Sequence, residues 1–317
     1  MAKVDRNAPK RGTASESTYS LMEFVDEFGD DAACLDWLWR QRFAPDGHTA
    51  YCKKCDQERR FHRVKGRPSY DCDHCGHHIH PLAGTIFHKS PTSLHLWFYA
   101  MYLMASTRCG ISAKQLEREL GVTYKTAWRM FNLIRNQLMT QDDEGPLTGE
   151  VEVDETWHGG KMRESDKRKA RERGVTVGPY AKPRATVMGF VERGGRVIAM
   201  QVESRYGYTL RSNVAKTVEK GSVVYTDDWA GYSGVEQFYT HHRINHSGRV
   251  YVSGHVHTQT IEGFFSLFKN GVRGVYHSVS AKWLQGYLNE YVWRYNRRGN
   301  GRAMFIDLIE AAASKTA

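Results

Sequence analysis

The chain contains no hydrophobic run long enough to cross a bilayer. Its longest apolar segment, Leu94–Met104, falls well short of the roughly 20 residues that a membrane-spanning helix needs, and it contains His95. The opening segment Met1–Gly12 also lacks the apolar stretch of a secretory signal. We therefore expect a soluble, cytoplasmic protein without a membrane partner.

Cysteine is also scarce, because six cysteines among 317 residues are too few for a disulfide scaffold. Apolar residues make up 40% of the chain, which is enough for a packed core and excludes a wholly disordered protein. Basic charge is in excess, with 45 Lys and Arg against 35 Asp and Glu and a formal net charge of +10. This excess favours a polyanionic partner, nucleic acid before a membrane surface.

Hydrophobic periodicity separates a mainly helical part from a mixed part, and the length predicts two domains. The helical stretch Leu94–Arg135 breaks at Arg108–Ser112 and Gly121–Thr123, and Gln141–Gly149 resembles a linker. After the linker, the pattern is a mixed α/β layout with strands at Glu150–Thr156, Ala185–Glu192, Arg196–Glu203 and Ser222–Asp227 and helices at Leu210–Glu219, Thr260–Lys269 and Ser280–Arg294. The predicted segments are a flexible arm (1–19), a helical segment (20–47), a cysteine-rich segment (48–83), a helical region (90–140), an α/β domain (148–298) and a C-terminal helix or tail (299–317).

Four of the cysteines form two pairs, Cys52–Cys55 and Cys72–Cys75, each with two residues between the thiols. This spacing lets a tight turn aim both sulfurs at one ion, and two such turns complete a tetrahedral site for structural Zn²⁺. The alternatives are a redox-active pair, or free cysteines that have this spacing by chance. We interpret Cys34 and Cys109 as small core residues. The nearby histidines are interpreted as loop or phosphate-contacting residues: His62, His74, His77, His78 and His80.

Residues 111–135 have the pattern of two helices joined by a short turn. Ser112 and Gln115 form the signature of a capping box, and Thr123 can cap the second helix. The residues predicted to form the core between the helices are Leu116, Leu120, Val122, Ala127, Phe131 and Ile134. Those predicted to contact DNA, as at the start of a helix-turn-helix recognition helix, are Tyr124, Lys125, Thr126 and Arg129. The alternative is an ordinary helical hairpin with a basic face.

Three carboxylates occupy positions at which they can meet. Asp154 lies on a strand with period-two alternation, Asp227 lies at the end of an apolar strand, and Glu262 lies near the start of an amphipathic helix. Gathered carboxylates repel one another unless cations bind, and their hard oxygen ligands suit Mg²⁺ or Mn²⁺. A two-metal site of this kind would support in-line phosphoryl transfer.

Each acid also has a simpler explanation. Asp154 could be a solubility residue at a strand edge, Asp227 could begin a turn, and Glu262 could favour the positive end of a helix dipole. Their occurrence together, downstream of the cysteine pairs and the two-helix motif, favours the metal site. Glu155 and Asp228 are the neighbours most easily mistaken for members of the triad.

The order of these motifs resembles the ISXO-like group of insertion-sequence transposases. The resemblance covers residues 20–298 and is carried by the paired cysteines, the helix-turn-helix candidate, VEVDETWHGGK, VYTDDWAGY and HTQTIEGFFSLFKNGVRGVYH. It implies an RNase-H-like DDE catalytic domain after a zinc ribbon and a helix-turn-helix. It also implies that Asp154, Asp227 and Glu262 bind Mg²⁺ or Mn²⁺, and that Lys269 positions a phosphate.

The function that the resemblance implies is DNA transposition. Such a protein binds the terminal inverted repeats of its element, cleaves double-stranded DNA and joins the new end to target DNA, as a homo-oligomer at least when bound to DNA. We expect it in the cytoplasm, associated with the nucleoid. The alternatives are a nuclease of the same fold that does not join DNA, and a non-catalytic regulator that uses only the zinc and helix-turn-helix parts.

A basic insert follows the first acidic strand. Residues 159–184 hold nine Lys and Arg against three Asp and Glu, together with several glycines that make the segment loop-like. Its location predicts contact with the DNA backbone through residues such as Lys161, Arg163, Lys167 and Arg168. A solvated flexible loop is the alternative.

Overall fold

The chain forms two compact units in a computed structural model that describes residues 19–107, 109–141, 145–159, 164–174, 184–244, 257–298 and 303–314. Unit 1 comprises Met1–Arg108, Ala113–Met130 and Arg298–Ala317, and unit 2 comprises Cys109–Ser112 and Phe131–Arg297. Among the described residues, no helix is both long and apolar enough to span a bilayer. The predicted arm lies almost entirely outside the described residues.

Unit 1 combines helices with a small antiparallel sheet. Its helices are α1 (Leu21–Glu27), α2 (Asp31–Arg42), α3 (Leu94–Ser106), α4 (Ala113–Leu120), the first part of α5 (Tyr124–Leu133) and, from the end of the chain, α10 (Met304–Ser314). The sheet has the order β1 (Thr49–Cys52), β2 (Gln57–Arg63), β3 (Tyr70–Cys72) and β4 (His78–Ile79). Helix α1 begins at a capping box of Ser20 and Glu23, which satisfies two open backbone N–H groups.

An aromatic core holds the helices of unit 1 together. Phe24 from α1 contacts Tyr102 from α3 and Phe305 from α10, with ring centres 5.1 and 5.5 Å apart. Phe28 also packs on Phe305 at 5.7 Å and on Phe98 at 5.1 Å. The C-terminal helix therefore completes a core that is otherwise built from the N-terminal part of the chain.

Unit 2 is built on a five-stranded mixed sheet of order β7–β6–β5–β8–β9. The strands are β5 (Glu150–Gly159), β6 (Arg184–Glu192), β7 (Val197–Val202), β8 (Val223–Asp227) and β9 (Thr240–Ile244). Strands β5, β6 and β7 pair antiparallel, whereas β5–β8 and β8–β9 are parallel. The helices are α6 (Glu164–Glu172), α7 (Gly207–Thr217), α8 (Gln259–Gly271) and α9 (Ala281–Arg297).

Helices cover the sheet of unit 2, whose central strands are buried on both faces over much of their length. Val151 and Val153 of β5 are fully buried in a cluster that contains Leu210 and Val214 of α7. Helices α8 and α9 contact strands β5, β6 and β7. The mixed α/β class, the four predicted strands and the helices α7, α8 and α9 are confirmed, with shifts of a few residues at their ends.

Three local predictions are wrong. The insert after β5 contains helix α6, because residues 164–172 lack glycine and carry helix-spaced ion pairs such as Lys167 with Glu164 at 3.0 Å. Strand β9 was not predicted, since its sequence THHRI offers little apolar alternation. Cys109 is exposed rather than part of a core, because it lies in the break between α3 and α4, next to Gly110 at φ +84°.

Candidate active site and metal sites

The predicted carboxylates Asp154 and Asp227 lie on neighbouring parallel strands. Glu152 of β5 pairs in register with Tyr225 of β8, so Asp154 and Asp227 each stand two residues further along their strands. The backbone pairing of β5 with β8 ends at Glu152 and Tyr225, so the two aspartates lie just beyond the paired part of the strands. Glu262 lies in the first turn of α8 and is exposed.

The charges of the three carboxylates act on one another. Burial, together with the negative charges of Glu155, Asp227 and Glu262, raises the pKa of Asp154 to about 7, against a backbone hydrogen bond from Glu155 that lowers it. Lys269 is the nearby cation: its pKa is lowered by burial, while the charge of Asp154 opposes that change. The structure thus brings Asp154, Asp227, Glu262 and Lys269 into one electrostatic neighbourhood.

The donor set fits hard divalent cations. The negative charges of Asp227 and Glu262 act on Asp154, so a cation among the three carboxylates would be stabilising, and oxygen ligands suit Mg²⁺ or Mn²⁺. Among the described residues, no group of three or more such acids has ligand atoms all within 4.8 Å of one another. At least one pair of ligand oxygens of Asp154, Asp227 and Glu262 is therefore more than 4.8 Å apart.

Glu152 anchors the helix that carries Glu262, and the sequence did not indicate this role. The Glu152 carboxylate is fully buried and accepts hydrogen bonds from the backbone N–H groups of Thr260 (2.8 Å) and Ile261 (3.2 Å) in the first turn of α8. Arg193 donates to the same carboxylate at 2.9 Å. Because Thr258 makes no side-chain cap, a residue of β5 satisfies the open N–H groups of α8.

Gly189 lets α8 approach the sheet closely. It pairs directly with Asp154 across β5 and β6. A Cβ atom at this position would lie 2.7 Å from Ile261 and 2.8 Å from Phe265, both on α8. The absence of a side chain on β6 thus sets the separation between the strand that carries Asp154 and the helix that carries Glu262.

The neighbouring acids Glu155 and Asp228 differ from the triad in their surroundings. Glu155 accepts a hydrogen bond at 2.7 Å from Nε of Arg205 and another from the hydroxyl of Tyr232, so its carboxylate already has partners. Asp228 is exposed beyond the end of β8. These environments favour Asp154 and Asp227 over their neighbours as metal ligands.

The four paired cysteines of unit 1 converge on one point. Their sulfurs lie within 4.8 Å of one another, with Cys52 to Cys75 at 3.5 Å and Cys55 to Cys72 at 4.0 Å. A tetrahedron of sulfurs about 2.3 Å from Zn²⁺ has edges of roughly 3.8 Å, which matches this spacing. Burial opposes ionisation of Cys52, but backbone N–H groups of Cys55 and Lys54 outweigh it and lower its pKa to about 7. The group fits zinc, and it is the one cluster of at least three potential ligands among the described residues.

Zinc content provides a direct check of the cysteine cluster. We expect the purified protein to contain about one equivalent of zinc and Cys72→Ser to lose it, because the serine hydroxyl is a poor replacement for a thiolate ligand. Cys109→Ser is the matched control, since Cys109 is exposed and outside the cluster. The measurement is elemental analysis by mass spectrometry after extensive dialysis. Equal zinc content in the two variants would contradict the assignment.

The residues predicted to contact DNA have mixed exposure. Tyr124 (44% exposed), Lys125 and Arg129 are exposed on α5, whereas Thr126 is half-buried and its hydroxyl lies 3.1 Å from that of Thr123. Of the predicted core residues, Val122 is half-buried, and the buried ones are Leu116, Leu120, Ala127, Phe131 and Ile134.

The basic insert is described only in part. Lys167 and Arg168 lie on α6 and pair with Glu164 at 3.0 Å and Glu172 at 3.7 Å. The predicted DNA contacts Lys161 and Arg163 lie outside the described residues.

Comparisons with known proteins bear on unit 2 in particular. Residues 146–296, which include the three carboxylates but not the paired cysteines, match the model of the ISXO2-like transposase domain. Over 274 residues, 83% of this chain and 91% of the relative, the chain is 29% identical to a Halobacterium salinarum protein described as an uncharacterized protein in transposable element ISH50. A crystal structure of a pre-cleavage Mos1 transpososome matches 65% of this chain and 74% of that chain, with 9% identity and a TM-score of 0.26. That structural similarity is too low to bear on the fold.

Proposed function

We propose that this chain, whose residues 146–296 match the ISXO2-like transposase domain, is an insertion-sequence transposase that binds the terminal inverted repeats of its element and catalyses DNA cleavage and strand transfer. The observation that carries this proposal is that Asp227 and Glu262, from a parallel strand and a helix, place their negative charges near the half-buried Asp154. Three such carboxylates suit a pair of divalent ions.

We propose that unit 2 is an RNase-H-like catalytic domain, with segment boundaries at about residues 148–298. Support comes from the strand order, in which three antiparallel strands precede two parallel ones and the first strand lies in the centre. The acids lie where strands β5 and β8 stop pairing, and the helix that carries Glu262 packs on the same sheet.

In the proposed mechanism, Asp154 and Asp227 would hold Mg²⁺ or Mn²⁺ throughout the reaction, and Glu262 would complete the second site. The chemistry that such ions would supply there is activation of the attacking oxygen and stabilisation of the leaving oxygen. Glu152 and Gly189 keep α8 close to β5, so that Glu262 stays within reach of the aspartates. Lys269 lies two helical turns beyond Glu262 on α8, where it orients a phosphate of the substrate. Water would cleave the phosphodiester at the element end and leave a 3′-OH, whose oxygen would then attack a target phosphorus and displace the target strand's own 3′-oxygen, without a covalent protein–DNA intermediate.

The proposed partner is double-stranded DNA, both element ends and target. In unit 1, a zinc ribbon and a helix-turn-helix would bind the ends, with Tyr124, Lys125, Thr126 and Arg129 at the start of α5. Lys167 and Arg168 on α6 would contact backbone phosphates. Bringing two element ends together requires a homo-oligomer on DNA. A protein with these DNA partners would act in the cytoplasm, at the nucleoid.

The proposal is tested with the full-length protein, Mg²⁺ and linear DNA that carries the terminal repeats. We expect nicks that expose a 3′-OH at the repeat ends, and insertion of pre-cut ends into a target plasmid. Cleavage without insertion would identify a nuclease that does not join DNA. Binding of the repeats without Mg²⁺-dependent cleavage would identify a non-catalytic regulator. Either result would overturn the proposed function.

A further inference from the structure

Two exposed tryptophans and one arginine form a stack beside the carboxylates of unit 2. Trp157 comes from β5, Arg205 from the segment before α7, and Trp229 from the turn after β8. The guanidinium carbon of Arg205 lies 4.6 Å from the ring centre of Trp157 and 4.7 Å from that of Trp229. We call these residues the Trp157–Arg205–Trp229 stack.

Buried partners hold the stack in place. Arg205 donates to Glu155, whose side chain is 1% exposed, and the indole N–H of Trp229 donates to the backbone oxygen of Arg205 at 3.5 Å. The guanidinium is thus fixed between the rings by a carboxylate from the same strand as Trp157. A fixed cation between two aromatic rings loses little conformational entropy when a ligand binds.

Both tryptophans of the stack are partly exposed, and the guanidinium carbon of Arg184 also lies 5.4 Å from the ring centre of Trp157. Trp157 is 47% exposed and Trp229 is 44% exposed, and the nearby Tyr206 and Tyr208 are each 80% exposed. A group of large aromatic side chains exposed together is unusual on a soluble domain and marks a binding surface. These residues contribute little to the apolar core, so a folding role does not account for them.

The location of the stack identifies its ligand. Trp157 follows Asp154 by three residues on β5, so their side chains leave opposite faces of the strand, whereas Trp229 follows Asp227 by two residues, directly after β8. The backbone N–H of Trp229 also donates to the Asp227 carboxylate at 3.2 Å. A strand whose phosphate reaches Asp227 therefore brings its adjacent nucleotide to Trp229, the end of the stack that lies next to this carboxylate.

We propose that the Trp157–Arg205–Trp229 stack binds an unpaired base of the DNA strand next to the phosphate that is cut. Base–aromatic stacking tolerates every base, and a guanidinium adds attraction for the base and the backbone. Bases inside a duplex have their faces covered by neighbouring bases, so only an unpaired or extruded base can use this surface. This inference rests on the proposed function, because the carboxylates define where the strand is cut.

The test compares two DNA probes without added divalent cations: a blunt duplex and the same duplex extended by a short single-stranded thymine overhang. Trp157→Ala and Trp229→Ala are each expected to weaken binding of the overhang probe by about tenfold and to leave the blunt probe unchanged. The phenylalanine variants retain most of the preference, since a ring remains. Fluorescence anisotropy with the full-length protein gives both affinities.

Trp283→Ala is the matched control. Trp283 is 40% exposed and has Lys282 Nζ 5.0 Å from its ring centre, but it lies on α9, outside the stack. Its substitution is expected to change neither affinity. Trp157→Leu and Trp229→Leu, which keep apolar volume without an aromatic face, serve where an alanine variant does not fold.

The stacking proposal is overturned if the alanine or leucine variants lose affinity for both probes equally, or for neither. Cleavage of terminal-repeat DNA by the unaltered protein is measured separately. Absence of that cleavage together with a selective loss of overhang binding would retain the stacking site and reject the proposed transposition. Normal cleavage without a selective loss of overhang binding would retain the proposed transposition and reject the stacking site.

Discussion

Asp154→Asn is expected to lower the rate of Mg²⁺-dependent cleavage of terminal-repeat DNA by at least about 10³-fold. Asparagine keeps the size of the side chain but removes the negative charge that holds the cation, and a factor of this size corresponds to about 4 kcal/mol of lost transition-state stabilisation. Asp228→Asn is the matched control, since Asp228 is exposed beside Asp227. We expect its cleavage rate to remain close to that of the unaltered protein, as measured by single-turnover kinetics on gels.

The same substitution has the opposite effect on stability in the absence of metal. The pKa of Asp154 is raised to about 7 in the folded protein, so the folded state binds this proton more tightly than the unfolded chain does. The stabilisation that this bound proton provides is complete below the pKa that Asp154 has in the unfolded chain, and it is lost as the pH rises through 7. At pH 8, where Asp154 is charged, metal-free Asp154→Asn is expected to melt at a higher temperature than the unaltered protein. Lower activity accompanied by a lower melting temperature would contradict this assignment.

Glu152→Ala is expected to lower the free energy of unfolding by about 3–5 kcal/mol, because it leaves two helix N–H groups without their acceptor and removes the fully buried one of the two carboxylates that pair with Arg193. Glu150→Ala is the matched control. Glu150 pairs with the same Arg193 at 2.7 Å, but its side chain is 49% exposed, so we expect a loss of less than about 1 kcal/mol. Urea denaturation followed by circular dichroism measures both.

Glu152 also links stability to catalysis, because it fixes the first turn of the helix that carries Glu262. Glu152→Gln keeps one acceptor oxygen and the volume, so it is expected to fold and still cleave more slowly than the Glu150→Ala control. Equal cleavage rates in these two variants would show that the position of α8 does not depend on this carboxylate.

Much of the candidate site follows from local sequence patterns. Period-two alternation places Asp154 on a strand, the apolar run before Asp227 ends at that residue, and helical spacing places Glu262 on an exposed surface of α8. The paired cysteines are equally local, since each pair spans one tight turn. Such features depend on residues close together in the chain, which is why the sequence predicts them.

The features that the sequence did not predict depend on distant partners. Glu152 has the same strand pattern as Asp154, and only the fold shows that it reaches the first turn of α8, more than 100 positions away. Gly189 has no motif, and its importance comes from the side chains of Ile261 and Phe265 above it. Strand β9 forms by pairing with β8 despite its polar sequence. Helix α6 was missed because flanking glycines dominated the composition of the insert.

The placement of Phe305 in the aromatic core of unit 1 has a consequence during synthesis. Domains generally fold as units while the chain emerges from the ribosome, N-terminal ones first. Here the first unit to be translated lacks its last helix until α10 has left the exit tunnel, after the whole of unit 2 has been made. Nascent or truncated chains that stop before Phe305 therefore expose Phe24, Phe28 and Tyr102 to solvent.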